Sequence, residues 1–318
     1  MIEQWRLTID QCLQHNNDGD ADLSLFDLSN YGLLAVEGEE SAKFLQGQLT
    51  INIDKVTSEQ GSIGAFCNPQ GRMRSLFVVL PSLNNEGDYW LLLPKEILPH
   101  TLTELKKYAP FFKTQLSDQS DQWGIFGLAG AQENSPSQQN AITQWHDGLL
   151  YAPYNDAHFV AILPLSSANE YWQKHQEQAR FAPYSEWLVH SIQQGVPRLY
   201  QSTLDLFLPH YLDLPPLGGV DFDKGCYTGQ EVVARMHYKA TLKSHLYYFT
   251  GESDVTPEPS TPIWADGKKM GDVVCAETQG HQLHVIAVTK DSIEKSSNIQ
   301  CIDENGPILQ CKGKAQSD

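Results

Sequence analysis

The chemistry in this chain is concentrated in residues 223–243, DKGCYTGQEVVARMHYKATLK. Cys226 follows Lys224 and Gly225 and is followed at short range by Tyr227, Thr228 and Gly229. Thr228 and Glu231 have the T-x-x-E spacing of a capping box, which predicts a helix with Thr228 as its N-cap and Glu231 as the N3 partner. Val232, Val233 and Met236 form an apolar face of that helix, while Arg235 and Lys239 share another. A thiol just outside a helix N-terminus and beside a lysine is drawn toward its thiolate by unpaired N–H groups and by positive charge. Gly225 and Gly229 let the backbone approach a ligand closely or take a positive φ. On these residues alone two readings stay open: a reactive or ligand-contacting thiol, and a buried cysteine in a tight turn before a packed helix.

The elements around this stretch must be numerous. A chain of 318 residues with 41% apolar and 19% charged residues has material for two or three folded cores. The net charge is −17, so the surface as a whole repels nucleic acid and anionic membranes. Lys224, Arg235, Lys239 and Lys243, with Glu231 as the one acid among them, form a local basic patch suited to a small anionic ligand. The six cysteines (12, 67, 226, 275, 301, 311) show no C-x-x-C and no paired spacing, so neither a disulfide framework nor a metal site is expected. MIEQWRLTID lacks the pattern of a signal peptide, and the longest apolar runs are five residues, far short of the roughly 20 a membrane span needs. A soluble, cytoplasmic protein is expected.

Taken in order, residues 1–22 read as a short helix and a loose lead-in, 31–36 as a strand and 39–48 as a helix. Residues 61–80 read as a hairpin whose turn, Asn68-Pro69-Gln70-Gly71, has type I chemistry. A strand at 89–93 and a helix at 102–111 that stops at Pro110 follow. Strands are predicted at 122–129 and 158–164, separated by the polar loop QENSPSQQN, and helices at 168–179 and 184–194. No G-x-G-x-x-G is present, and hairpins mixed with helices point to α+β architecture rather than a parallel Rossmann sheet. After Lys243, short strands at 245–250, 262–264, 271–276, 282–289 and 299–302 predict a small β-barrel or sandwich, with CKGKAQSD as a frayed tail. The division expected is 1–243 and 244–318.

KGCYTGQEVVAR resembles the signature of the YgfZ-type folate-binding proteins, relatives of the glycine-cleavage T protein (aminomethyltransferase) and dimethylglycine oxidase. GEESAKFLQGQLT (38–50), AFCNPQGRM (65–73), LTELKKYAPF (102–111), EWLVHSIQQGVP (186–197) and FLPHYLDLPPLGGVDF (207–222) fall in the family's order and spacing. The resemblance implies two α+β subdomains and a C-terminal β-barrel around a central channel that binds reduced folate. It also implies a role in maintaining iron–sulfur enzymes and, through them, in tRNA modification. The family's functional cysteine falls on Cys226 and its lysine on Lys224. The folate-contacting positions fall on Tyr31, Trp187, Gly225, Tyr227, Gly229, Gln230, Glu231 and Arg235. A flat pterin stacks on aromatic faces, and its anionic tail suits an arginine or an open helix start. The family usually carries tryptophan at Tyr31, glutamine at His210, asparagine at Asp213, glycine at Ala240 and arginine at Ser244. His210 itself is expected to be a satisfied structural residue.

The T protein places an acidic pair on the strand leaving the NPQG-like turn, where this chain reads Arg72-Met73-Arg74-Ser75-Leu76. Basic residues there repel the iminium-like species that aminomethyl transfer must stabilise. The resemblance therefore implies a folate-dependent accessory factor with a functional thiol and with iron–sulfur enzymes as partners. The alternative is a folate-dependent one-carbon (aminomethyl-type) transferase of unidentified substrate, with Asp205, Asp213 or Glu231 in place of the missing carboxylate. Direct tRNA binding is a third reading, opposed by the net charge, and no membrane partner is expected.

Overall fold

The computed structural model describes residues 1–14, 21–130, 135–239 and 241–316. Part of the loop predicted between the strands at 122–129 and 158–164, the departure at Ala240 and the last two residues of the predicted tail lie outside them. The architecture is mixed α+β ending in a β-barrel. By chain contacts it divides into two units. The first is Met1–Gln48, Asn52–Ile63 and Phe77–Trp187; the second is Leu49–Ile51, Gly64–Leu76 and Leu188–Asp318.

The first unit opens with helix α1 (Ile2–Gln14), then strands β1 (Ser24–Asp27) and β2 (Tyr31–Glu37) and helix α2 (Ser41–Gln48). Strand β3 (Ser62–Cys67) passes into the second unit at Gly64 and turns there into β4 (Met73–Pro81), which returns to the first at Phe77, followed by β5 (Tyr89–Pro94), α3 (Leu98–Lys106), β6 (Gln115–Asp118) and β7 (Trp123–Ala129). Then come β8 (Ile142–Trp145), β9 (Gly148–Tyr151), β10 (His158–Pro164), α4 (Leu165–Lys174), β11 (Arg180–Ala182) and α5 (Tyr184–Gln193), which crosses into the second unit after Trp187. One sheet has the order β11-β1-β7-β10-β9-β8 and the other β3-β4-β5-β2-β6. β1 and β11 run parallel, whereas β1–β7, β7–β10, β10–β9, β9–β8, β4–β5, β5–β2 and β2–β6 are antiparallel. Central strands β2, β7 and β10 have five consecutive buried residues each, the pattern of strands covered on both faces.

The short helix expected at the start of the chain is α1, and residues 15–20 of the expected lead-in lie outside the described residues. Trp5, Ile9 and Cys12 of α1 recur at helical spacing and enter the core beside Phe126, Trp172 and Phe181. The ring of Trp5 meets Trp172 edge-on at 5.3 Å. Helix α3 begins earlier than its periodicity predicts, because Pro99 sits in its first turn, where a missing N–H costs nothing. Pro110 falls instead in the separate 3-10 turn Ala109–Phe111.

The second unit holds helix α6 (Gln230–Lys239) and the closing strands β12 (Ser244–Glu252), β13 (Pro262–Ala265), β14 (Lys268–Gln279), β15 (Gln282–Lys290), β16 (Ile299–Cys301) and β17 (Ile308–Lys314). These six form a closed barrel in the order β12-β15-β14-β13-β16-β17. Tyr247, Phe249, Ile263, Val273, Leu283, Val285 and Ala287 fill it at alternate strand positions. The predicted frayed tail is the sixth strand: Phe249 pairs with Cys311 and Tyr247 with Lys314, which removes the free edge of β12. Gln316 continues the attachment by donating to the carbonyls of Gln194 and Gly195. No helix among the described residues is long and apolar enough to cross a membrane.

Candidate functional site

The predicted turn between β3 and β4 is present and fixes the site's floor. Gly71 N–H donates to the Asn68 carbonyl at 2.9 Å, and the Asn68 side chain accepts from the N–H groups of Gln70 and Arg72. Gly71 has φ +73° and Gly229 has φ +86°. A Cβ on Gly229 would stand 2.5 Å from the Asn68 carbonyl oxygen and 3.0 Å from the Gly71 Cα. The start of α6 therefore packs directly on the turn, through two glycine backbones that no side chain could replace.

That contact also relocates the helix cap. α6 begins at Gln230, and the Gly229 carbonyl accepts from Val233 N–H at 3.3 Å. The cap position is Gly229 and not Thr228, so the predicted Thr228–Glu231 capping box is not what starts the helix. The close approach to Asn68 selects a positive φ at 229, and Thr228 falls in the turn before it.

Lys224 anchors the loop that carries the thiol. Its ammonium is buried and donates to the main-chain carbonyls of Leu49 at 2.6 Å and Ile51 at 2.7 Å. It also lies 5.1 Å from the centre of the Tyr227 ring, within cation–π range. Between those carbonyls, Thr50 is tied on three sides. Its hydroxyl donates to the Gly219 carbonyl at 2.6 Å and accepts from Ala65 N–H, and its own carbonyl accepts from Asp221 N–H. Residues 49–51 thus form a clamp between the end of β3 and the segment 219–224.

With its ends held, the loop presents Cys226 to solvent. All six cysteines lie among the described residues, and Cys226 is the exposed one; Cys12, Cys67, Cys275 and Cys301 are buried and Cys311 is half-buried. Burial pushes the Cys67 thiol up to about 12 and those of Cys275 and Cys301 up to about 11. Burial likewise raises the Tyr227 hydroxyl, with the nearby Cys67 adding to the shift. Gly225 is exposed, its backbone is not in the left-handed region, and an added Cβ would meet nothing within 4 Å. Of the remaining sequence-predicted positions, Glu231 and Arg235 are exposed on α6 and Gln230 is half-buried. Val233 is the buried residue of that helix.

The strand leaving the turn meets a carboxylate from far along the chain. Asp205 accepts from the Asn68 side-chain amide at 2.6 Å and pairs with Arg74 at 3.3 Å. Its backbone has φ +58°, and its N–H donates to the Met73 carbonyl. Met73 N–H donates in turn to the Phe207 carbonyl, and the Arg72 guanidinium donates to the Leu206 carbonyl. No local signal marks Asp205 as the partner of Arg74; only the pairing of 205–207 along β4 reveals it.

Tyr31 and Trp187 both belong to the first unit, each with its own ring partners. Trp187 is fully buried against Phe26, Tyr154 and His158, and a Cβ on Gly127 would lie 2.7 Å from its ring. Tyr31 is half-buried at the start of β2 and meets Tyr184 edge-on at 6.5 Å. As placed, Tyr31 has reachable ring surface and Trp187 has none.

Known proteins share both this sequence and this fold. The GCVT N-terminal domain model matches residues 14–142. The chain is 32% identical over 299 residues to the tRNA-modifying protein YgfZ of Hamiltonella defensa, covering 89% of this chain and 88% of that one. Among solved structures it is similar to the glycine cleavage system aminomethyltransferase T from Bartonella henselae, with a TM-score of 0.73 and 14% identity. That match covers 95% of this chain and 87% of the other. At that identity the structural match speaks for a common aminomethyltransferase fold.

Proposed function

We propose, from the premise that this chain belongs to the YgfZ family of tRNA-modifying proteins, that it is a folate-binding accessory factor acting in tRNA modification through the thiol of Cys226. The observation that carries this reading is the contrast among the cysteines: one thiol is exposed on an anchored loop and the others are withdrawn. A reactive cysteine needs access as well as a fixed position, and the loop supplies both.

Two features, each taken within its own unit, have the chemistry a reduced folate would use. Tyr31 offers ring surface to a pterin. Exposed Arg235, with the open backbone at Gly225, suits an anionic tail, and Tyr227, Gly229, Gln230 and Glu231 shape the loop and helix start beside them. Trp187, enclosed as it is, would act by packing within the first unit instead of by stacking on the ligand. Reduced folate supplies one-carbon chemistry when bound. The chain's own part is to hold Cys226 as a soft nucleophile or ligand, with Lys224 setting the loop from which it acts. One thiol does not hold an iron–sulfur cluster, since clusters take about four ligands, so on this reading the clusters belong to client enzymes.

The same region weighs against aminomethyl transfer. Arg72 precedes β4 and Arg74 lies on it, and the Asp205 carboxylate brought to the strand is already engaged by Arg74 and Asn68. It is not free to orient an amine. The test has two arms. Tetrahydrofolate should raise the Tm of the parent protein and raise it less for Tyr31→Ala; no rise in the parent removes folate from the account. In a strain lacking its own family member, the parent should restore tRNA modification and Cys226→Ala should not. Equal rescue makes the thiol dispensable, and methylene transfer to tetrahydrofolate by the pure protein would establish the transferase instead.

A further inference from the structure

One group of side chains in the second unit has no part in the reading above. His210 lies in the 3-10 turn Pro209–Leu212 and is 4% exposed. Neither of its ring nitrogens has a hydrogen-bond partner among the described residues. The expectation that this histidine is satisfied by its surroundings therefore fails. A neutral imidazole carries one donor and one acceptor, and native proteins rarely bury both unmade. The nitrogen that carries no proton in a neutral imidazole keeps a lone pair available for coordination.

The neighbours make this more than an orphan. His237 of α6 is exposed and stacks on Phe222, with centroids 3.7 Å apart and planes 17° apart. The His210 centroid is 6.0 Å from Phe222 and 6.2 Å from His237. Nearly equal distances to both members of a stacked pair set His210 beside the stack, at the ring edges and not over a face. The edge of the His237 ring is therefore turned toward His210, whose plane is 36° from its own. With Zn–N bonds of about 2.1 Å and each nitrogen about 1.2 Å from its ring centre, two imidazoles on one tetrahedral ion have centroids about 5.4 Å apart, so the 6.2 Å spacing here closes onto one ion when the exposed His237 ring moves inward by under about 1 Å.

We propose that His210 and His237 form a two-imidazole site for a first-row metal ion of the Zn2+ class, with solvent completing the coordination. Neutral imidazole nitrogens suit Zn2+, Cu and Ni and do not suit Mg2+ or Ca2+. The exposed His237 gives the ion a way in, and the Phe222 stack fixes the plane of that ring. His210 supplies the buried nitrogen, already free of competing partners. The site uses none of the residues assigned to folate or to the thiol, so it stands or falls without them.

The test is Zn2+ titration of the full chain by calorimetry at pH 7.5, in a Cys226→Ser background so that the exposed thiol does not compete. The tightest site should bind one ion per chain. His237→Ala and His210→Gln should each weaken it at least about tenfold, while His281→Ala, on an exposed barrel histidine, should leave it unchanged. Substituted Co2+ should give visible d–d absorption that His237→Ala abolishes, a signature that a purely structural histidine would not produce. Replacing buried His210 can unfold the chain, so the exposed His237 variant, checked for an unaltered metal-free Tm, is the deciding one. An absence of binding in the parent, equal affinity in His237→Ala, or equal loss in His281→Ala would overturn the proposal.

Discussion

The loop around Cys226 and the surroundings of Trp187 solve opposite problems by different physics. The loop must leave a polar, reactive side chain in water, so it is held by main-chain hydrogen bonds at Lys224 and by glycine-to-backbone contact at Gly229. Trp187 is held by rings on several sides and by the missing side chain of Gly127. Directional bonds can pin a segment while leaving its neighbours exposed. Dispersion and burial fix a residue only by surrounding it. A position read from residue type and spacing, Cys226, is therefore found accessible, and one carried over by resemblance, Trp187, is found enclosed.

The largest effect expected is on the enclosed side. Trp187→Ala should destabilise the protein by about 3–5 kcal/mol, measured by denaturant unfolding. A loss below about 1 kcal/mol would mean the ring is not the packed element described. On the loop side the effect should depend on which glycine is touched. Gly229→Ala forces a Cβ into the Asn68 carbonyl at a positive φ and should cost about 2–3 kcal/mol. Gly225→Ala, with open space around it, should stay within about 0.5 kcal/mol. Equal effects at the two positions would show that the turn does not seat the helix.

The smallest effect is in pH dependence and labelling. In the native state at pH 7.5, iodoacetamide should label Cys226 alone, and mass spectrometry after brief exposure checks this. The pKa values of Cys67, Cys275 and Cys301 are raised on folding from 9.0 to between about 11 and 12. Their contribution to stability is thus fully present below pH 9.0 and is lost progressively as pH rises toward those folded values. Stability that is flat or rising with pH over that interval would contradict their burial.

Much of the fold was legible because local chemistry agreed with tertiary structure. The Asn68–Gly71 turn carried its own bonding instructions, and five barrel strands announced themselves by alternation between turn residues. β17 did not, because a strand that closes a barrel with Gln310, Lys312 and Lys314 facing outward reads like a polar tail. Its buried contribution is chiefly Leu309. At the site, the reactive cysteine was legible and its supports were not. Thr228 had the better capping side chain, yet the contact with Asn68 moved the cap to Gly229. The basic charge of Lys224 suggested help for the thiolate, whereas its bonds run to carbonyls contributed by residues 49–51. Both depend on chain segments some 150 residues or more away in sequence, beyond the reach of any local pattern.

The grip of Lys224 on carbonyl oxygens has an evolutionary consequence. A tether that reads only the peptide backbone is indifferent to which residues provide it, so Leu49 and Ile51 can drift among apolar types without loosening the loop. The lysine itself has no such latitude: a shorter or neutral chain would leave two inward-facing oxygens without their cation. Variation at 49 and 51 beside constancy at 224 is the pattern this attachment should leave among descendants of a common ancestor.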